Sequence, residues 1–135
     1  IQAVKAIAAG SRQRLELGNL SICRDWGWAP EYVEAMHRML QLERLEDLVI
    51  ATGETTSLED FVREVFAALG LDWRRHVVRD PALMRPSEIL SGRADTSRAS
   101  DLLGWTARFR MRDVARMMVE ARMAAAPGQT ARRAA

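Results

Sequence analysis

Residues 46–70 read EDLVIATGETTSLEDFVREVFAALG, and this stretch decides the fold class of the chain. Its continuous apolar run at 48–51 predicts a buried strand of the parallel type. The residues that follow predict a helix that begins with a capping box from Thr56 and Glu59 and ends at Gly70. One face of this helix is apolar and is expected to lie in the core: Leu58, Phe61, Val62, Val65, Phe66 and Leu69. A buried strand followed by an amphipathic helix is typical of an α/β fold.

The sequence on both sides of this stretch continues the alternation of helices and strands. Before it, the pattern predicts a helix over 1–9 ended by Gly10, a strand over 14–18, an extended segment over 20–26 and a helix that begins at Pro30. After it, the pattern predicts a strand over 73–81, a loop, a short helix over 96–103 capped by Asp95 and a last helix over 111–124. Two further helix faces are expected to point inward: Tyr32, Ala35, Met36, Met39 and Leu40, and then Val114, Met117, Met118 and Ala121. The chain is therefore predicted to be α/β with one small sheet of short strands.

The composition indicates one folded domain over residues 1–124 and a tail over 125–135 that is predicted to be disordered. The chain has 135 residues, of which 48% are hydrophobic and 28% charged, as in a globular protein. Its 20 basic and 18 acidic residues give a net charge of +2, which is too balanced for a nucleic-acid binder that depends on phosphate contacts. No apolar run approaches the ~20 residues that a membrane helix needs, so neither nucleic acid nor a membrane is expected as a partner.

Cys23 is the single cysteine of the chain, which excludes an intrachain disulfide and favours a reducing compartment such as the cytoplasm. The first ten residues, IQAVKAIAAG, lack a methionine and resemble the interior of a helix. The sequence is therefore interpreted as a fragment whose N-terminal part is absent.

Sequence motifs for catalysis or metal binding are scarce. The chain has no G-x-G-x-x-G, no G-x-x-x-x-G-K-[ST] and no H-E-x-x-H motif. His37 and His76 lie far apart and have no neighbouring Cys or His, so both are interpreted as structural residues and not as metal ligands. Cys23 is interpreted in the same way as a packing residue. The sequence therefore predicts no catalytic residue and no metal site.

Two arginines in predicted connections are more informative. Arg24 lies in RDWG (24–27), and Arg85 lies in MRPSEI (84–89) with Glu88 close behind it. A guanidinium group can donate two parallel hydrogen bonds to phosphate oxygens, and a glutamate can accept from a ribose hydroxyl or a base N–H. The three side chains would suit a nucleoside diphosphate, but solvated surface charges explain the same pattern. From the residues alone, both interpretations remain open.

A set of longer motifs resembles a known family: LELGNL (15–20), RDWGWAPEYVEAM (24–36), EDLVIATGETTSLEDFV (46–62), RPSE (85–88), DTSRASDLLGW (95–105) and FRMRDVARMMVEA (109–121). Together they resemble the C-terminal half of the GDP-mannose 4,6-dehydratases, which are extended short-chain dehydrogenases/reductases. The resemblance covers residues 1–124. Trp28 and Pro30 depart from it, because many relatives carry a histidine and a basic residue at these positions.

The resemblance implies a lyase. Enzymes of this family use NADP bound to a Rossmann domain to convert GDP-mannose to GDP-4-dehydro-6-deoxy-mannose with loss of water. The fold implied for this chain is the small C-terminal domain, with short strands and about five helices and without the Rossmann half. By the match, Arg24 and Arg85 contact the diphosphate and nucleoside of GDP-mannose, with Glu88 beside them. The catalytic residues and the main NADP site are expected in the N-terminal half, so this chain alone is expected to be inactive.

The resemblance also implies that the complete enzyme is a homo-oligomer, either a dimer or a tetramer. Two other functions remain as alternatives. One is a different nucleotide-sugar dehydratase, epimerase or reductase of the same superfamily. The other is a non-catalytic nucleotide-binding or interaction module, in which the Met-rich helices form a docking surface.

Overall fold

The structure, a computed structural model, describes residues 1–85 and 87–125. The predicted disordered tail therefore lies outside the described residues, apart from residue 125. Five α-helices are present among the described residues: α1 (Gln2–Ala8), α2 (Ala29–Met39), α3 (Leu58–Ala67), α4 (Ser97–Leu103) and α5 (Met111–Ala124). The strands are β1 (Leu15–Leu17), β2 (Cys23–Asp25), β3 (Thr55–Ser57) and β4 (Val77–Arg79), and short 3-10 helices cover Trp73–Arg75 and Pro81–Leu83.

The strands form two separate pairs, where the sequence predicted one small sheet. β1 runs parallel to β4, and β2 runs antiparallel to β3. The α/β class is confirmed, but the described strands are only three residues long. Sheets of this size depend on the helices around them, because an isolated two-stranded pair is at best marginally stable.

The main core lies where α3 meets α1 and α5. The predicted apolar face of α3 is confirmed, since Val62, Val65 and Phe66 are buried and the other predicted residues are partly buried around them. Gly70 follows this helix with a φ of +68°, a conformation that glycine adopts at little cost at a helix end. A smaller core forms where α2 packs on Trp105.

The prediction of a strand at 48–51 is wrong, and the structure has a loop there. Val49 is 54% exposed, and only Ala51 of the run is buried. The backbone N–H groups of Thr52 and Gly53 donate to the carboxylate of Asp25. Because a side chain satisfies these donors, the backbone at 52–53 needs no neighbouring strand.

The start of α3 also differs from the prediction. Thr56 belongs to β3, opposite Arg24, so it cannot act as the cap with Glu59. Ser57 is the N-cap instead, and its hydroxyl accepts the N–H of Asp60 at 3.0 Å. Among the later elements, the strand predicted over 73–81 is limited to β4.

Two predicted helix faces are only partly correct. On α2, Ala35 is buried, but Met36 and Leu40 are 55% and 76% exposed. On α5, Val114 is buried, whereas Met118 is 40% exposed and Ala121 is exposed. The helix α2 turns Glu31 inward instead, and this side chain receives hydrogen bonds from the residues before α5. Side-chain periodicity alone could not indicate a buried carboxylate.

The remaining short helix begins one residue later than predicted, and Asp95 is not its N-cap. The N–H of Ser97, the first residue of α4, donates to the Asp95 carboxylate at 3.0 Å. Thr96 occupies the N-cap position itself. Asp95 therefore closes a turn directly before the helix, and the hydrogen bond holds the pKa of its carboxyl below the usual range.

Candidate functional site

The predicted site begins with Arg24, at the centre of β2. Its Nη1 donates to the carbonyl oxygens of Cys23 at 2.7 Å and Ile89 at 2.9 Å. Its Nη2 lies 3.4 Å from Oε1 of Glu88. The fold therefore brings two of the three predicted site residues into direct contact, although they are far apart in the sequence.

Arg85 and Glu88 line one cavity together. This cavity has a volume of about 240 Å³ and is bordered by Asn19, Met84, Arg85, Glu88 and Leu90. We call it the Arg85 cavity. Ligand pockets for whole small molecules usually measure about 300–1,000 Å³. The Arg85 cavity can therefore hold part of a nucleotide sugar, and all three predicted site residues lie in it or contact its lining.

The segment 88–93 is fixed along the antiparallel pair formed by β2 and β3. The N–H of Cys23 donates to the carbonyl of Leu90 at 2.7 Å, and the Thr55 hydroxyl donates to that of Gly92 at 2.9 Å. Arg93 donates from Nε to the carbonyl of Gly53 at 3.2 Å. These contacts hold Glu88 beside Arg24, although the segment itself is largely exposed.

Asp25 anchors the adjacent loop, a role that no motif in the sequence indicated. Its carboxylate accepts the N–H of Thr52 at 3.0 Å and the N–H of Gly53 at 2.9 Å, and it accepts the Tyr32 hydroxyl at 3.3 Å. Burial, followed by the negative charge of Asp25, raises the pKa of Tyr32 to about 12. Asp25 thus connects the Arg24 strand with the 51–54 loop and α2. The apolar run before that loop gave no signal for this contact.

We expect Asp25→Asn to lower the free energy of unfolding by about 1–2 kcal/mol, because an amide cannot accept these N–H groups as a carboxylate does. Urea denaturation would measure the change. Amide hydrogen exchange should become faster at Thr52 and Gly53, while exchange in α3 follows only the global change in stability. Asp47→Asn, at an exposed position of the segment that leads into this loop, is the matched control. Equal stability of the two variants would contradict the anchoring role.

Trp26 packs beside the site and contacts α3. Its ring stacks on Phe61 with centroids 4.4 Å apart and planes 15° from parallel. The indole N–H donates to the carbonyl of Thr56 at 3.4 Å. This contact holds β2 against α3, so that the neighbouring Arg24 projects from a fixed backbone.

The two histidines lie away from this site and from each other. His37 is exposed on α2. The His76 ring stacks on Phe66, and its Nδ1 lies 3.1 Å from the carbonyl oxygen of Gln13. Within residues 1–85 and 87–125, no group of three or more His, Cys, Asp or Glu side chains could hold a metal ion. No helix in this part of the chain has the length and apolar character required to cross a bilayer.

A second cavity, with a volume of about 440 Å³, lies beside the turn before α4. It is bordered by Gly53, Arg93, Ala94, Asp95, Thr96 and Ser97. Its polar groups are largely engaged in the turn before α4, because the Ser97 hydroxyl also donates to Asp95. The Arg85 cavity remains the better candidate, since Arg85 and Glu88 both line it and Arg24 is paired with Glu88.

The sequence profile of one family, described as GDP-mannose 4,6 dehydratase, matches residues 1–118. The chain belongs to the GDP-mannose 4,6-dehydratase family. Among curated relatives, GDP-mannose 4,6 dehydratase 1 of Arabidopsis thaliana is 39% identical over 119 residues, which cover 88% of this chain and 33% of that protein. The human GDP-mannose 4,6 dehydratase is 36% identical, with 89% and 37% covered. This chain therefore spans about a third of the length of the curated relatives that it matches.

Solved structures show the same fold at low sequence identity. RMD of Pseudomonas aeruginosa, solved in complex with NADPH, has a TM-score of 0.77 at 18% identity, with 87% of this chain and 38% of that chain covered. A putative epimerase of Burkholderia cenocepacia has a TM-score of 0.79 at 22% identity, with 92% and 40% covered. The predicted fold, the small α/β domain of an extended short-chain dehydrogenase/reductase, is confirmed.

Proposed function

We propose that this chain is the substrate-binding part of a GDP-mannose 4,6-dehydratase, a lyase that converts GDP-mannose to GDP-4-dehydro-6-deoxy-mannose with loss of water. The family match over residues 1–118 supports the reaction. The observation that carries the binding role is that Arg85 and Glu88 line one cavity while Arg24 contacts Glu88. Two cations and one anion are the groups that a nucleoside diphosphate requires, because phosphates pair with guanidinium groups and hydroxyls donate to a carboxylate.

Arg24 would bind a phosphate oxygen through the edge formed by Nε and Nη2. Its Nη1 is already occupied by the carbonyls of Cys23 and Ile89. These two bonds fix the plane of the guanidinium, so little rotamer entropy remains to be lost when a ligand binds. Arg85, which is exposed at the rim of the Arg85 cavity, would supply the second positive charge. Glu88 would accept a hydrogen bond from the nucleoside.

NADP is assigned to a part of the protein outside these residues. The chain carries no G-x-G-x-x-G loop and no Tyr-x-x-x-Lys pair, which are the groups that hold and use a dinucleotide in this superfamily. The residues present therefore do not fit the cofactor, and no chemical step is assigned to them. We propose that this domain binds and orients the substrate, that the chain alone is inactive, and that the complete enzyme is a cytoplasmic homo-oligomer.

A calorimetric titration of the intact protein with several sugar nucleotides tests this proposal. We expect GDP-mannose to bind about tenfold or more tightly than UDP-glucose or dTDP-glucose, a difference of about 1.4 kcal/mol. Tighter binding of a uridine or thymidine nucleotide would assign the chain to another nucleotide-sugar enzyme. Failure to bind any of them would favour a non-catalytic interaction module. Turnover of GDP-mannose by the isolated 135-residue chain would contradict its assignment as a binding part.

A further inference from the structure

We propose that Glu88 makes this site select nucleoside diphosphates over inorganic anions, by occupying Arg24 until a ligand offers the carboxylate a hydrogen-bond donor. This inference rests on the proposed function and adds to it a residue that determines specificity. It starts from one contact, in which Nη2 of Arg24 lies 3.4 Å from Oε1 of Glu88. A nucleotide that binds Arg24 would have to break this ion pair or bind beside it.

The carboxylate sits on the part of Arg24 that a phosphate needs. The carbonyls of Cys23 and Ile89 take both hydrogen atoms of Nη1. The edge left for a ligand is formed by Nε and Nη2, and among the described residues Glu88 alone contacts it. A bidentate phosphate at this edge must therefore displace Glu88 or bind next to its negative charge.

The backbone prevents Glu88 from moving far away. The carbonyls of Ile89 and Leu90, directly after it, are bonded to Arg24 and to the N–H of Cys23. The Glu88 side chain is only 14% exposed, whereas that of Arg24 is 40% exposed. A displaced carboxylate would thus stay in the Arg85 cavity, which it lines.

The chemistry of the ligand then decides whether displacement is favourable. Pyrophosphate brings negative charge and accepting oxygens, so a displaced Glu88 would lose its partner and gain only repulsion. A nucleoside diphosphate also brings hydroxyl and N–H donors, which can bond to the displaced carboxylate. The ion pair between Glu88 and Arg24 therefore weakens the binding of pyrophosphate, whereas a nucleoside diphosphate can compensate for breaking it. Specificity of this kind comes from a cost imposed on the wrong ligand.

Glu88→Gln in the intact protein tests this inference, because the amide has nearly the same shape and no charge. With NADP in excess, calorimetric titrations would measure the binding of pyrophosphate and of GDP to each variant. We expect pyrophosphate to bind about threefold more tightly to the variant, the gain from removing a partly exposed ion pair. We expect GDP to bind about tenfold more weakly, because a charge-assisted hydrogen bond is lost.

Glu59→Gln is the matched control. Glu59 pairs with Arg79 at the same distance of 3.4 Å, also between a carboxylate and an arginine Nη2, and neither residue lines the Arg85 cavity. This variant should leave both affinities unchanged, so that a general effect of net charge can be subtracted.

Opposite changes for the two ligands support the role of Glu88. Pyrophosphate binding that is no tighter in Glu88→Gln than in the wild type overturns it, and so does GDP binding that is equal or tighter. A wild-type protein that does not bind GDP or GDP-mannose contradicts the proposed function instead. In that case the pyrophosphate titration still shows whether Glu88 opposes an anion at Arg24.

Discussion

Replacing Glu31 with glutamine should lower the free energy of unfolding by about 2–4 kcal/mol, because two backbone donors and one guanidinium lose a charged acceptor together. Glu31 is 3% exposed on α2. Its carboxylate accepts the N–H of Arg108 at 3.0 Å and the N–H of Phe109 at 3.2 Å, as well as Nε of Arg108 at 3.0 Å. These bonds fasten α2 to the segment that leads into α5. Urea denaturation at neutral pH would measure the loss.

The effect of this substitution should depend on pH in a defined direction. Burial raises the pKa of Glu31, but the hydrogen bonds from Arg108 and Phe109 outweigh burial and lower it below its usual value. A carboxyl with a depressed folded-state pKa contributes stability above its unfolded-state pKa, and this contribution is lost as the pH falls through the folded-state value. The difference between the wild type and Glu31→Gln should therefore be largest at neutral pH and shrink in acid.

Glu34→Gln provides the matched control on the same helix. Glu34 is 41% exposed, pairs with Arg38 one turn later and also lies 3.7 Å from Nη2 of Arg108. Because both pairs are exposed, its removal should cost about 0.5 kcal/mol or less. Urea midpoints of the three proteins, measured from neutral pH into acid, separate the buried contact from the exposed one. Equal stability of Glu31→Gln and Glu34→Gln would show that the buried hydrogen bonds add nothing.

Replacing Arg24 with alanine should weaken the binding of GDP-mannose to the intact protein by about 2–4 kcal/mol, the scale for loss of a charge-assisted contact. The same range is expected for Arg85→Ala. Arg24 presents a guanidinium whose plane is fixed by the carbonyls of Cys23 and Ile89, so its charge is held in place before a ligand binds. Calorimetric titration with GDP-mannose would measure both variants.

A structural cause for lost binding can be excluded with two measurements. Arg79→Ala removes an exposed arginine that pairs with Glu59, and it should retain the affinity of the wild type. The thermal unfolding of Arg24→Ala should show whether the segment 88–93 still packs on β2. Unchanged affinity in both Arg24→Ala and Arg85→Ala would remove the two arginines from the binding site.

The extended resemblance to the family was more informative about the site than any single residue type. Arg24, Arg85 and Glu88 could each be read as solvated charges when taken alone. The structure shows the contact between Arg24 and Glu88 and the cavity shared by Glu88 and Arg85. No local pattern could have predicted this contact, since it depends on the segment 88–93 folding back along β2.

Asp25 and Glu31 are two further residues whose contacts the sequence could not predict. Both carboxylates accept backbone N–H groups from segments far along the chain. A carboxylate in a polar motif or on a helix looks the same in the sequence whether it faces water or an unpaired backbone donor. The sequence therefore assigns Asp25 no role, and it predicts a strand for the apolar run at 48–51, next to the backbone that Asp25 anchors.

The sequence by itself determined the five helices of the described residues, the glycine ends of two of them at Gly10 and Gly70, and the buried face of α3. These features depend on side-chain period and on residues that favour a helix end, so they are readable within one stretch of chain. Only the tertiary structure decided that β1 pairs with β4, that β2 pairs with β3, and that Glu31 is turned inward. The physical reason is that a backbone donor or a carboxylate can be satisfied by any segment that packs beside it, and the choice of segment is made by the fold as a whole.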